Sequence, residues 1–310
     1  MPEALRWRSK ALLFKIEATY GVDPTPTQAI LATDVVCRPM EGEDVSRDVM
    51  RPWFGAQEMF PVGMRVALEF DVEIVGGGTA GTAPPIGPLL RACALAETIV
   101  AVTSVTYNRI SSAHESAAFY FWIGGNKQAI LGARGNAVFS INAQGIPRIR
   151  FIFTGLWAAP AAAALPTIDT TAFKTPLVAT HVNTPVFTVD AVSLVLRSYS
   201  FDLGNVVEPR LLIGGEGIVI TDSDEKITVA VEAVPVATYN PFTRATGMTK
   251  FPVVIRQDTR AGYKVQINAP LCQQRRLEGY ENQQGVVEWP LAFAPLPSDT
   301  GNDQLSIVFT

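Results

Sequence analysis

The sequence predicts a mostly-β protein of two tandem β-sandwich or barrel modules, each with antiparallel sheets and one short helix. Three observations predict it. Apolar and polar residues alternate over several segments, most clearly Val66–Val75, and a period of two marks a half-buried strand. Clusters of turn residues separate these segments at intervals of about ten positions. The chain also resembles itself: Val35–Val75 lies on Leu194–Val234 without a gap, matching Val36 with Val195, Arg38 with Arg197, Arg51 with Arg210 and Gly55 with Gly214. A repeat of this size reads as duplication of a structural unit. At 310 residues the chain has room for about two domains.

Along the chain, Ala11–Phe14 is too short an apolar run for a signal peptide, being cut off by Lys15 and Glu17. In Val66–Val75, the residues Val66, Leu68, Phe70, Val72 and Ile74 share one face and Ala67, Glu69, Asp71 and Glu73 the other, the pattern of an antiparallel sheet with one wet side. Pro88–Ala96 reads as a short helix, with Pro88 in the first turn and Leu89, Leu90 and Cys93 on one face. Phe119–Ile123, Gly124-Gly125-Asn126 and Gln128–Leu131 form a hairpin. Val138–Ile141, the turn Gln144-Gly145 and Arg148–Leu156 form another. Ala158–Pro185 loses the alternation and gains prolines, alanines and threonines, which reads as an extended linker able to reach about 90 Å if straight. The expected division is therefore 1–157, a linker 158–185, and 186–310. In the second half Pro241–Thr246 is a helix with Asn240 as N-cap. Hairpins follow over Phe251–Val265 and Gln266–Ala294.

Charge and chemistry exclude most functional classes. The formal net charge is −4, with 25 basic and 29 acidic residues, unlike a domain that grips nucleic-acid phosphates. Cys37, Cys93 and Cys272 have no paired spacing, so neither a disulfide framework nor a zinc site is expected. The longest uncharged apolar run, Phe151–Leu165, contains Pro160 and is shorter than the roughly 20 residues of a membrane helix. The two histidines, His114 and His181, have no nucleophile motif near them. Glu41, Glu43 and Asp44 read as solvated acids, and Asp222-Ser223-Asp224-Glu225 as a hairpin turn lacking a full calcium-loop pattern. Gly76-Gly77-Gly78-Thr79-Ala80-Gly81 satisfies G-x-G-x-x-G, but Pro84-Pro85 follows where the dinucleotide fingerprint needs a helix. No enzyme activity, cofactor or metal is expected. A flexible loop that becomes ordered against a neighbouring subunit is the better reading, with Gly76, Gly77, Gly78, Gly81, Pro84 and Pro85 as an inter-ring or assembly element.

Several motifs in succession carry a resemblance. Glu17-Ala18-Thr19-Tyr20-Gly21-Val22-Asp23-Pro24 comes first, then Pro39-Met40-Glu41-Gly42-Glu43 and Val45-Ser46-Arg47-Asp48. Gly78–Pro84, Gly87–Cys93, Leu131-Gly132-Ala133-Arg134-Gly135 and Phe153-Thr154-Gly155-Leu156 follow. The second half adds Asn183-Thr184-Pro185, Phe201-Asp202-Leu203-Gly204-Asn205 and Gly301-Asn302-Asp303. In this order they resemble the tail tube (major tail) proteins of long, non-contractile-tailed bacteriophages. The resemblance implies β modules that assemble into stacked rings in the virion tail, forming a hollow tube for DNA. With two modules per chain, three chains would close a pseudo-sixfold ring. It implies as partners further copies of the chain and the tape measure, tail terminator and baseplate proteins. DNA would pass without specific binding, and no membrane would be engaged. In such a tube the polar face of Val66–Val75 meets the channel. Glu69, Asp71 and Glu73, with Glu232 from the second module, are the candidate lumen-facing residues, their carboxylates repelling DNA phosphates. A secreted β-sandwich that binds carbohydrate or acts as an adhesin is the alternative, for which Trp7, Trp53, Trp122, Trp157 and Trp289 supply aromatics.

Overall fold

The structure is a computed structural model that describes residues 4–310. The first half contains β1 (Lys10–Ile16), β2 (Gln28–Ala29), β3 (Ala32–Ser46), β4 (Met59–Glu73), α1 (Gly87–Arg91), β5 (Leu95–Val100), β6 (Ser104–Arg109), β7 (Ala117–Ile123), β8 (Asn126–Asn142) and β9 (Arg148–Trp157). After the short β10 (Ala161–Ala162) the second half contains β11 (Val186–Val189), β12 (Val192–Ser193), β13 (Leu196–Asp202), β14 (Asn205–Leu212), β15 (Gly215–Ser223) and β16 (Lys226–Glu232). These are followed by α2 (Pro241–Gly247), β17 (Lys250–Gln257), β18 (Val265–Gln274), β19 (Glu281–Gln283), β20 (Val286–Pro295) and β21 (Ser306–Phe309). All strand pairs are antiparallel, and no sheet of the described residues closes into a barrel.

Local sequence explains most elements. Gly124, at φ +59°, and Gly125 make the two-residue turn between β7 and β8. β8 then runs on as a single strand through both segments read as separate hairpin arms, because Gln128–Ile141 keeps its alternation past the Gly132 bulge. α1 is shorter than the helix expected over Pro88–Ala96. Ala94 adopts φ +61°, which ends it, and Leu95 opens β5. Pro88 sits in its first turn as expected. α2 is capped by the Asn240 side chain, which accepts from the backbone N–H groups of Phe242 and Thr243, both at 3.1 Å.

Pairing follows the same order in both halves: β3-β4-β9-β8-β7-β1 in the first, β13-β16-β20-β18-β17-β11 in the second. Leu68 faces Cys37, whereas its sequence match Ile227 faces Phe201. The first strand of the repeat therefore registers several residues away from the ungapped alignment. Bulges in β3 and the turn at Gly204 absorb the difference. In the first half β3 and β4 extend beyond the sheet as one long hairpin arm; in the second a separate hairpin, β14–β15, takes that place.

The halves are fused twice. β8 pairs with β13, from Asn142↔Ser198 to Val138↔Asp202, and β6 pairs with β21, from Asn108↔Ser306 to Val105↔Phe309. One sheet therefore runs unbroken as β3-β4-β9-β8-β13-β16-β20. Its inward residues and those of the strands behind it form one continuous apolar core, in which Phe70, Phe119, Phe151 and Phe153 stack at the centre of the first half, with Phe119 and Phe153 rings 4.7 Å apart. Deleting one such ring typically costs about 3–5 kcal/mol. A small satellite cluster of Ala11, Leu13, Ala29, Tyr120 and Trp122 covers the other side of β1 and β7. Segment 158–185 lies against the molecule: β10 pairs with the start of β8, Phe173 packs on the core, and the Ala179 backbone N–H donates to Gly145 O while its own C=O accepts from Gln144 N.

Candidate functional site

Two places could carry function: the outward face of the unbroken sheet and the seam between the halves. On the sheet face, Glu69, Asp71 and Glu73 project from β4 away from the core, whose side is filled by Leu68, Phe70 and Val72. They are not bare carboxylates. Arg150 on β9 donates to Glu69 at 2.6 Å and to Asp71 at 3.3 Å, and Arg38 on β3 lies 3.0 Å from Glu69. Arg148 stands directly opposite Glu73 and pairs with Asp34 at 3.4 Å. The Glu69 hydrogen bond holds the Arg150 guanidinium above its ordinary value. The acidic strip read from the sequence thus has arginines beside it: Arg38 and Arg150 pair with Glu69 and Asp71, and Arg148 stands opposite Glu73. In the second half Glu232 is exposed on the same sheet and faces Glu288, which Arg197 neutralises at 2.5 Å. Between these ends the outward residues include Asn136, Ser140, Ser198, Ser200, Thr228 and Ala230, together with Asp202, which stands opposite Lys226.

At the seam, Phe139 and Phe201 stack with ring centres 5.7 Å apart beneath the β8·β13 ladder. The β14–β15 hairpin reaches back onto the first half. The Ile218 N–H donates to the Tyr20 hydroxyl at 2.6 Å, and Ile218 O accepts from Arg134 Nη1 at 2.7 Å. Arg134 also donates to His114 O at 2.8 Å, and its guanidinium lies 5.0 Å from the centre of the Tyr20 ring. Glu17 fixes the loop that presents Tyr20, accepting from Ser116 Oγ at 2.6 Å, Gly132 N at 2.7 Å and Gly21 N at 2.9 Å. Asn205 Nδ2 donates to Cys93 O and Gly135 O, each at 2.9 Å, and Asn136 Nδ2 to Asp202 Oδ1 at 2.7 Å. Deeper still, Arg109 and Glu225 form a buried ion pair. Glu225 is thus no solvated turn residue, although its neighbours Asp222 and Asp224 are exposed.

The glycine-rich loop is ordered by its own chain. Gly76 N donates to Tyr263 O at 3.2 Å and Gly78 N to Gly262 O at 2.9 Å. A Cβ on Gly76 would stand 2.4 Å from Gly262 O, which is why glycine is needed there. Pro84 and Pro85 are buried, Gly77 and Gly81 are half-buried, and Thr79 and Thr82 are exposed at the loop's tip.

Burial pushes the Cys37 thiol up to about 11 and the Cys272 thiol up to about 12, so neither presents a thiolate near neutral pH. Among the described residues no group of three or more His, Cys, Asp or Glu side chains could hold a metal ion, and no helix is long and apolar enough to cross a membrane. The sequence reading did not single out Tyr20, Arg134, Asp202 or Asn205 as seam residues, though each lies inside a motif it quoted. Arg109 carried no signal, since its partner is distant in sequence.

The profile of the family described as phage tail tube protein matches residues 7–266. No curated protein matches the sequence. The profile covers well over half of the chain and falls on an antiparallel, mostly-β structure, so the chain belongs to the phage tail tube protein family and is a structural protein of the virion tail.

Proposed function

We propose that three copies of this chain close one ring of a tail tube, that such rings stack, and that phage DNA passes through the hole. The observation that carries the reading is the unbroken sheet across two halves that pair their strands in the same order. Two modules per chain, divided as 1–157 and 186–310 with 158–185 between them, give a threefold ring of pseudo-sixfold appearance. The polar face of that sheet lines the channel, with Glu69, Asp71, Glu73 and Glu232 on it.

The ion pairs refine how such a wall stays non-adhesive. DNA binding by proteins draws on unpaired Lys and Arg that replace condensed counterions. Here Arg150 and Arg148 lie beside carboxylates of the same sheet and Lys226 stands opposite Asp202, so they offer phosphates little free positive charge. The tip of the glycine-rich loop and the exposed Met50, Trp53 and Phe54 at the end of the β3–β4 arm are the surfaces available for stacking. Tape measure, terminator and baseplate proteins are the partners at the tube's interior and ends.

Electron microscopy of the purified protein tests the reading. Rings or tubes with a central hole and threefold symmetry are expected. Six whole chains per ring would overturn the stoichiometry, and a protein that stays monomeric with or without tail initiator proteins would overturn the tube. Replacing Glu69, Asp71 and Glu73 by lysine removes the partners of Arg150 and Arg38 and should cost stability; tubes that form should eject DNA more slowly, most at low salt, where the screening length exceeds about 10 Å. Finding these side chains on the outer wall would overturn the channel assignment.

A further inference from the structure

The chain carries a worked example of how its modules join. In the first half β8 and β9 end in a hairpin whose turn contains Gly145, and the outer edge of β8 pairs with β13. The second half repeats this hairpin as β19 and β20, whose turn contains Gly285. Arg148 stands opposite Glu73 three residues after Gly145, and Glu288 stands opposite Glu232 three residues after Gly285. An ion pair ties the edge strand to this position in each half with its signs exchanged: Asp34 with Arg148, and Arg197 with Glu288. β19 is therefore the counterpart of the end of β8, and the stretch of β3 around Asp34–Cys37 is the counterpart of β13.

Only one of the two junctions is filled. β13 has β16 on one side and β8 on the other. β3 has β4 on one side and, among the described residues, no strand on the other. β19 likewise pairs with β20 alone, and Tyr280, Val286 and Val287 beside it are exposed. Next to the free edge of β3 lies an apolar groove of about 370 Å³, lined by Trp7, Val35, Cys37, Phe121, Ile123 and Pro160. At the corresponding place in the second half, beside Leu194–Arg197, sit Ile141, Ala143 and Gln144 of the β8–β9 hairpin, with Ala143 N donating to Arg197 O at 2.8 Å.

We propose that Glu281–Gln283 of one chain pairs antiparallel with Asp34–Val36 of a second copy, Gln283 opposite Asp34, Asn282 opposite Val35 and Glu281 opposite Val36. The β19–β20 turn then seats at the apolar groove, as the β8–β9 turn seats within the chain. The register follows Asn142, Ile141 and Ser140 on Ser198, Tyr199 and Ser200 and is set at Val36, which faces Glu69 as Ser200 faces Thr228; the β3 bulge at Asp34 lies at the other end of the contact. Arg38, two residues beyond Val36, lies diagonally across from Glu281, within reach of a cross-strand charge pair. The contact joins two different surfaces, so it repeats head to tail and closes only as a ring. It also removes both free edges, which otherwise invite indiscriminate pairing. The proposal rests on the tube reading and specifies which edges make it.

The test is a disulfide. Val36 and Glu281 are both exposed, and directly opposed residues of an antiparallel pair have Cα atoms about 4.5–5.5 Å apart, within disulfide range. Tubes of the double variant Val36→Cys, Glu281→Cys should give a ladder of covalent multimers on oxidation. Each single variant, and the mismatched pair Ile213→Cys, Glu281→Cys, should not. Tubes without the ladder overturn this pairing and leave the tube reading standing; wild-type protein that forms no tubes overturns the tube reading itself. Should the double variant not assemble, hydrogen exchange on wild-type tubes decides. Backbone amides in 33–37 and 281–284 should exchange at least about tenfold more slowly than in the free chain, and unchanged exchange overturns the proposal.

Discussion

Arg109 and Glu225 meet as an ion pair, Nε to Oε1 at 3.3 Å, with side chains only 4% and 5% exposed, although one ends β6 and the other precedes β16. Gln304 adds a hydrogen bond to the same carboxylate oxygen at 3.2 Å. Burial pulls the guanidinium below its ordinary value, and Glu225 opposes that pull. Removing one partner strands a charge in the seam. Arg109→Ala or Glu225→Ala should destabilise the chain by about 3–5 kcal/mol, and the apolar pair Arg109→Met, Glu225→Leu by much less. Urea midpoints of the three variants measure this, and equal losses in all three would refute it.

Tyr20 is a hydrogen-bond acceptor for an arm that begins almost two hundred positions later. Tyr20→Phe leaves the Ile218 N–H without its partner in a fully buried residue, at a cost of about 1–3 kcal/mol. Exchange of the Ile218 amide should quicken selectively, while amides in β4 and β9 keep their wild-type rates. Uniform acceleration would mean that the arm is not a separate unit.

His114 sets a pH dependence. Burial pulls its pKa below the ordinary 6.5; Arg134 and Arg109 nearby add to this, and its Nε2–H bond to Ile110 O at 3.2 Å works the other way. The unfolded chain therefore takes up the proton before the folded one does. Stability falls as pH drops through about 6.5 and stops falling on this account once the folded-state pKa is passed. His114→Gln keeps a donor but does not titrate. Between pH 8 and pH 5.5 its urea midpoint should fall less than that of the wild type, and equal falls would remove His114 from the account.

Gly262 sits at φ +82°, and a Cβ there would stand 2.6 Å from the carbonyl group of Gly78. Gly262→Ala should cost about 1–3 kcal/mol and free the glycine-rich loop, read as faster exchange at Gly76 and Gly78. Deleting Gly77–Thr82 removes the Gly78 bond to Gly262 and should loosen what remains, read as faster exchange at Gly76. A deletion variant that assembles normal tubes would remove the loop from assembly.

Strands with one buried face were legible in the sequence, and the reason is local. Leu68, Phe70 and Val72 alternate with acids because one side of β4 meets the core, and Gly124-Gly125 announces its hairpin without help from the rest of the chain. The β3–β4 arm was not legible: Met40, Val45, Met59 and Phe60 are exposed on it, so there was no burial pattern to read. Ala94 at positive φ ended α1 where composition allowed another turn. The acids of β4 were placed correctly on the outward face, but Arg150 belongs to another hairpin, and no spacing rule connects it to Glu69 and Asp71. Seam residues such as Tyr20 and Asn205 lay inside recognisable motifs without a visible purpose, since their partners come from the other half.

The ladder between β6 and β21 has a temporal meaning. On the edge away from β5, Val105 and Tyr107 find their strand neighbours in Phe309 and Ile307, so a ribosome must reach β21 before the first half can cover that edge. Contacts so distant in sequence form late and slowly, and domains otherwise tend to settle in order of synthesis. A nascent subunit therefore exposes one edge of β6 until β21 has emerged. A chain that stops short of β21 is left with an open sheet edge, the feature that most invites stray pairing between copies.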